Sequence, residues 1–279
     1  MLAEFAEKQN IPFTLLSDIN SKVIQAYGIL NDQVTVEDGF FYGIPYPGVY
    51  VTDEDGKVVA KFFHATYKKR DSAELLISAA AGEVCVDDWA PAATGGKDGI
   101  NLSVSLHGGK GDLRQGMVRE IIVRFEIPKG LHIYGEPVPE GMVATEVKVE
   151  GPPGLMVEAV KVPPTETLVL GGTGHRLQVW TGKLEIRVPV YAVSELATEV
   201  APLERHSVTV DVIVRYQACD DNACLLPRTE HFSLDVPLDV TDVPAIPIHQ
   251  GHGQREGNYD GTPHWKRLLA RKPATRRPI

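Results

Sequence analysis

Cys219 and Cys224 stand five positions apart, with Asp220-Asp221-Asn222-Ala223 between them. Two thiols at that spacing can bond only if the chain reverses between them. Asp-Asp-Asn supplies the chemistry for that reversal, because short polar side chains hydrogen-bond back onto nearby backbone. A four-residue loop sets the cysteines opposite each other on paired strands, where Cα atoms lie about 4.5 to 5.5 Å apart, within disulfide reach. A bond across so small a loop restrains the unfolded chain little. Reversible exchange therefore explains the pair better than stability does. Three other readings stay open on these residues: a structural disulfide, two free thiols packed in a core, and a metal site. Zinc needs four ligands, and no second Cys or His pair stands at suitable spacing, so no metal is expected. Asp220 and Asp221 would raise a neighbouring thiol pKa, which suits a shuttle attacked by a more reactive partner thiol.

The elements that must hold this pair read as strands. Ile121, Val123, Phe125 and Ile127 alternate with Ile122, Arg124 and Glu126. Val208, Val210, Val212, Val214 and Tyr216 run straight into the cysteines, and Phe232, Leu234, Val236 and Leu238 alternate after them. Period-two patterning with one wet face, punctuated by Pro and Gly, predicts an antiparallel sandwich over roughly 100–240. Residues 1–83 have a mixed texture. Leu2, Phe5 and Ala6 predict a helix that ends by Asn10, and Ile11 to Leu16 a short buried strand. Asp18 predicts the cap of a second helix, closed by Gly28. Glu54-Asp55-Gly56 between apolar runs predicts a hairpin, and Asp71 to Ala81 a further helix. Residues 84–99, with Pro91, Gly95 and Gly96, read as a linker. The fold class is thus α+β and multidomain.

Residues 241–279 read as a flexible tail too polar to fold by itself, with one or two helical turns over Trp265 to Arg271. From Trp265 to Ile279 there are six Lys or Arg and no acid, a basic end able to touch acidic lipid or a partner. His249, His252 and His264 read as solvated rather than metal-binding. The formal net charge of -9 argues against nucleic acid as a partner. No apolar stretch approaches the ~20 residues that span a bilayer, and the first ten residues lack the apolar core of a signal peptide.

Tyr216-Gln217-Ala218-Cys219, the short polar loop and Cys224-Leu225-Leu226-Pro227 resemble the cysteine hairpin of the N-terminal domain of the thiol:disulfide interchange protein DsbD, also described as a disulfide bond corrector. Leu131-His132-Ile133-Tyr134 resembles an early strand of that family, and Trp180-Thr181-Gly182 with Leu184 to Val190 the strand leading to the cysteine sheet. The resemblance covers roughly 100–240 and implies an immunoglobulin-like sandwich. It further implies a periplasmic electron shuttle that draws reductant from a thioredoxin-like partner without a bound cofactor. By the same likeness Cys224 makes the mixed disulfide and Cys219 resolves it, with Tyr216 and Gln217 in support. The loop is one residue shorter than in the best-known members. The stretch that matches their aromatic cap loop, about Leu168 to Arg176, holds no aromatic residue.

Gly43-Ile-Pro-Tyr-Pro47-Gly-Val-Tyr-Val-Thr-Asp53-Glu-Asp-Gly56 resembles the second half of a redoxin, the thioredoxin-fold group that contains the AhpC/TSA peroxiredoxins. Pro47 stands where that family has its cis-proline. The family's reactive cysteine lies on its first helix, and no cysteine occurs from Met1 to Val84. Residues 1–83 therefore cannot reduce peroxide, because that chemistry needs a thiolate. The expectation is a partial thioredoxin-like segment, either an N-terminally truncated redoxin or a docking module. Cys85 reads as a linker thiol, with a resolving cysteine as the alternative. Besides the dithiol shuttle, two functions are carried forward: a peroxiredoxin-type antioxidant whose catalytic half lies upstream, and a binding module without catalysis.

Overall fold

The computed structural model describes residues 2–37, 42–66, 68–169, 176–196, 206–220 and 222–239. The tail with its three histidines, Asp221 and the centre of the expected cap loop (170–175) lie outside them. Contacts divide the chain into two units, Met1–Tyr50 with Lys61–Lys68 and Val51–Ala60 with Lys69–Ile279.

In the first unit α1 (Leu2–Lys8) forms as the apolar spacing predicts, and the chain leaves it through Asn10 at φ 50°. The expected strand over Ile11 to Leu16 does not form. Phe13 and Leu16 are 66% and 86% exposed, so the run has no sheet to join. Asp18 does act at the next helix, α2 (Lys22–Ala26), where its carboxylate accepts the N–H groups of Val23 at 3.0 Å and Ile24 at 2.8 Å. Those acceptors satisfy donors that a helix start leaves without partners. Tyr50 packs on Tyr27 and Phe63, with ring centroids 5.5 and 4.7 Å away. Even so, no described residue from 2 to 66 is buried. The expected hairpin is present as β1 (Gly48–Thr52) and β2 (Val58–Phe63). Asp53 accepts the Lys57 N–H on its side chain, and Gly56 takes the left-handed φ of 78° that its turn requires.

The second unit is mostly strand. β3 (Arg70–Asp71), α3 (Ala73–Ala81) and β4 (Ala92–Gly95) precede β5 (Asn101–His107), β6 (Leu113–Arg114), β7 (Met117–Glu126) and β8 (His132–Tyr134). Then come β9 (Glu146–Glu150), β10 (Leu155–Val157), β11 (Glu166–Val169), β12 (Arg176–Trp180) and β13 (Lys183–Ala192). β14 (Ser207–Tyr216), β15 (Ala218–Cys219) and β16 (Arg228–Asp239) end the described chain. One sheet runs β10-β13-β7-β5-β4, a second β6-β16-β14-β9 and a third β11-β12-β8-β15. Alternate residues of the first two sheets, among them Val104, Ile121, Phe125, Ile186, Val188, Val210, Val212 and Leu234, share one buried cluster. That shared core is what the period-two pattern of β14 and β16 foretold.

Two expectations need correction here. β7 does not have one wet face, because Val118, Glu120 and Ile122 on its other side are buried too. α3 lies against that outer face. Ser78 of α3 hydrogen-bonds His107 of β5 at 2.9 Å, Glu74 accepts the Gly109 N–H at 2.7 Å, and Arg124 donates to the Val84 carbonyl. The expected linker over 84–99 likewise contains β4, paired with β5 from Ala92↔Ser105 to Gly95↔Leu102. Its small residues Ala92, Ala93 and Gly95 read as linker composition, yet they serve a close edge strand. At Gly95 a Cβ would meet the Phe232 ring and the Glu230 carboxylate within 3.0 Å.

The contrast between the units sets a stability prediction. Phe125→Ala empties a site 1% exposed and should cost about 3–5 kcal/mol, whereas Leu16→Ala should cost under about 0.5 kcal/mol. Urea unfolding followed by circular dichroism measures both, and comparable costs would contradict this core assignment.

Candidate functional site

The third sheet builds the site. β8 is its central strand, with β15 on one side (Ala218↔Ile133, Cys219↔His132) and β12 on the other (Val179↔Tyr134, Trp180↔Ile133). Beyond Cys219 the chain turns back at once. Leu225 N–H donates to the Ala218 carbonyl at 2.8 Å and Asp220 N–H to the Ala223 carbonyl at 2.9 Å. These bonds bracket Cys219 and Cys224 and leave them facing each other as a pair without hydrogen bonds of its own, the position where cross-strand side chains come closest. Their Cα atoms are 4.0 Å apart and their sulfurs are bonded.

The turn is held by the residue types that announced it. Asp220 Oδ1 accepts the N–H groups of Asn222 and Ala223, both at 2.7 Å. Those two bonds hold its carboxyl below the usual carboxylate range, with a smaller contribution from positive charge on His132. Gln217, buried one residue before β15, closes the base. Its amide donates to the Leu225 carbonyl at 3.0 Å, and its oxygen accepts the Val143 N–H at 2.9 Å. Gln217 thus clamps the returning strand to the 139–145 loop.

The two sulfurs have unlike surroundings. Cys219 is 1% exposed and packs with Tyr134, Leu177 and Val179, with Val138, Met142 and Leu168 at the margin. Cys224 is exposed, as are Leu225 and Leu226 after it. Tyr134 touches both halves of the pair, since its ring belongs to the Cys219 cluster and its hydroxyl lies 3.5 Å from Cys224 Sγ. Burial pushes the Tyr134 hydroxyl above its ordinary pKa. Its oxygen is also 3.3 Å from His132 Nε2. In the sequence His132 and Tyr134 stand out only as part of a strand. The signal available was their spacing: residues two apart on a strand share a face, here the face that meets the cysteines.

Two expected site residues lie elsewhere. Tyr216 is buried in the main core, edge-on to Phe125 with centroids 5.5 Å apart, and its hydroxyl donates to Glu230 at 2.9 Å. Burial and that carboxylate both raise its pKa. It ties β14 to β16 rather than touching sulfur, because alternation turns its side chain to the other face from Gln217. Pro47 belongs to the first unit, where its carbonyl accepts the His64 N–H. Among the described residues the cis bond is Glu136–Pro137, so the expected cis-proline geometry at Pro47 is not found. Cys85 is free and exposed. No group of His, Cys, Asp or Glu among the described residues could hold a metal ion. No helix among them is long and apolar enough to cross a membrane.

Asp220 makes the turn acid-sensitive. Its folded pKa is depressed, so its contribution to stability is present above the unfolded value of about 3.9 and is lost as pH falls through the lower folded value. Thermal melts of Asp220→Asn and wild type between pH 2 and 7 should show a shallower acid loss in the variant, and parallel curves would contradict the assignment.

Residues 1–61 match the AhpC/TSA family, and residues 111–236 match the N-terminal region of the thiol:disulfide interchange protein DsbD. No curated protein matches the chain. Among solved structures, the N-terminal periplasmic domain of ScsB from Proteus mirabilis is 14% identical over 50% of this chain and 47% of its own, with a TM-score of 0.34. The N-terminal domain of DsbD from Neisseria meningitidis, in its reduced form, is 18% identical over 42% of this chain and 81% of its own, with a TM-score of 0.28. This chain therefore spans about half the length of the first of these. Its first 61 residues are thus similar to the AhpC/TSA family, and residues 111–236 to the N-terminal region of DsbD.

Proposed function

We propose that this protein transfers electrons by thiol–disulfide exchange at the Cys219–Cys224 pair. The observation that carries this reading is the asymmetry of the bonded pair, with Cys224 exposed and Cys219 buried beneath it. A structural disulfide gains nothing from one exposed sulfur, whereas exchange requires that a single sulfur be open to attack. The family match over 111–236 supports the same chemistry.

In the reducing half, a partner thiolate attacks Cys224 Sγ. The Cys219–Cys224 bond breaks as the partner–Cys224 bond forms, and Cys219 leaves as a thiolate that takes up a proton. The partner's second thiol then attacks its own bridged sulfur and releases Cys224. Two electrons and two protons have entered the pair, and the partner leaves as a disulfide. In the oxidising half, Cys224 thiolate attacks an acceptor disulfide and expels one acceptor thiolate. Cys219 resolves the mixed disulfide, restores its bond to Cys224 and expels the second. Sulfur carries both electrons, so the cycle calls for no bound cofactor. A thioredoxin-like dithiol protein is the donor or acceptor that suits this step, and a compartment outside the cytoplasm suits an oxidised pair at rest.

The AhpC/TSA segment is read as a partial thioredoxin-like domain that brings no thiolate of its own, since the first cysteine is Cys85. Pro47, the expected active-site proline of such a fold, therefore has no reactive cysteine beside it within residues 1–83.

A redox titration in glutathione buffers, read by alkylation and peptide mass mapping, tests the reading. The pair should titrate at a potential above about -300 mV, the level below which structural bonds resist glutathione. A bond that stays closed below that level would make it structural. Cys219→Ser with Cys224→Ser should abolish the exchange, and a double variant that keeps full cellular function would favour a binding module instead.

A further inference from the structure

We propose that His132, acting through Tyr134, is the positioning residue that places and removes the proton on Cys224. This rests on the exchange reading and names a residue that reading does not need. A chain of polar atoms runs from His132 Nε2 to the Tyr134 hydroxyl at 3.3 Å and on to Cys224 Sγ at 3.5 Å. Both ring-bearing residues are at least nine-tenths buried, His132 at 4% and Tyr134 at 1% exposure. The rings meet edge to face with centroids 5.3 Å apart, so the chain is held by packing as well as by its hydrogen bonds.

The direction of the chain follows from the redox state. A disulfide sulfur carries no hydrogen. In the oxidised protein Tyr134 O–H must therefore donate to Cys224 Sγ, and its oxygen is left to accept the His132 Nε2–H. When Cys224 leaves a mixed disulfide, its new thiolate takes the Tyr134 proton as Tyr134 takes one from the His132 imidazolium, which is left neutral. In the reduced protein the order reverses. Cys224 S–H donates to Tyr134, Tyr134 O–H donates to His132 Nε2, and two concerted shifts give thiolate, neutral phenol and imidazolium. Burial disfavours phenolate at Tyr134, so the tyrosine passes a proton without holding charge. The charge resides on His132.

Several ionisable groups surround that imidazole. Asp220, on the hairpin across from it, has a carboxylate that feels the His132 charge. Glu166 of β11 lines the same shallow groove as His132, with Leu168 and Val179. Positive charge on the imidazole attracts the Asp220 carboxylate, and that charge is the one that accompanies a Cys224 thiolate. Cys219 is paired directly opposite His132 but lies outside the proton chain.

The test uses the full chain, chemically reduced and freed of reductant, then alkylated with iodoacetamide at intervals from pH 5 to 10. Peptide mass mapping gives separate profiles for Cys224, Cys219 and the exposed Cys85. In His132→Gln and in Tyr134→Phe the Cys224 midpoint should rise by about one pH unit, with the Cys85 profile unchanged. The double variant should shift no further than either single one, because removing either link breaks the chain. His132→Phe keeps the ring packing against Tyr134 and should shift equally, which covers any folding defect of the Gln variant. Profiles that superimpose on wild type in His132→Gln and His132→Phe overturn the proposal. So do shifts that add in the double variant, since they would show two independent effects. Because the protein is reduced chemically, the result does not depend on the potential of the pair, and a failure of the exchange reading would be seen separately in the redox titration.

Discussion

Two backbone hydrogen bonds, Leu225 to Ala218 and Asp220 to Ala223, decide which side chains face each other at the end of β15. They hold Cys219 and Cys224 at the closest approach a strand pair offers, and everything proposed for this protein follows from that register. A slip by one residue would send one sulfur to the opposite face of the sheet. Asp220 and Gln217 oppose such a slip from the two ends, Asp220 by binding the turn amides and Gln217 by clamping the returning strand to the 139–145 loop. The Cys219–Cys224 bond is thus positioned by polar side chains that bind backbone groups on either side of it.

The third sheet then makes the sulfurs unequal. β8 brings Tyr134 under the pair, β12 brings Leu177 and Val179, and together they bury Cys219. Cys224 stays in solvent because the chain past it, through Leu226, is exposed. A buried apolar setting slows attack on a sulfur and an exposed one permits it, so packing selects the sulfur that a partner can reach. The large core shared by the first two sheets is a scaffold for this small asymmetric cluster.

Much of this was legible in the residues. The alternation of Val208 to Tyr216 and of Phe232 to Leu238 set the strands on either side of the cysteines, and the polar loop set the hairpin. What escaped was non-local. Burial of Cys219 comes from β8 and β12, more than 35 residues away in sequence, and no period in the hairpin reports it. Tyr216 was expected near the pair because it is close in sequence, yet strand alternation turns it into the main core against Phe125. α3 was read with the first 83 residues, while its buried Ser78 bonds His107 on the outer side of β5. Its alanine-rich run gave no hint of that partner. Ile11 to Leu16 is apolar enough for a strand, but strands need a neighbour to satisfy their backbone, and none stands beside it among the described residues.

The inequality of the two sulfurs is the claim on which the functional account stands, and single-cysteine variants measure it directly. Cys219→Ser leaves Cys224, and Cys224→Ser leaves Cys219, each to be mixed with oxidised glutathione and followed by intact-mass spectrometry. The account predicts that Cys224 forms its mixed disulfide at least about tenfold faster than Cys219, following its access to solvent. Equal rates, or a faster reaction at Cys219, would contradict it.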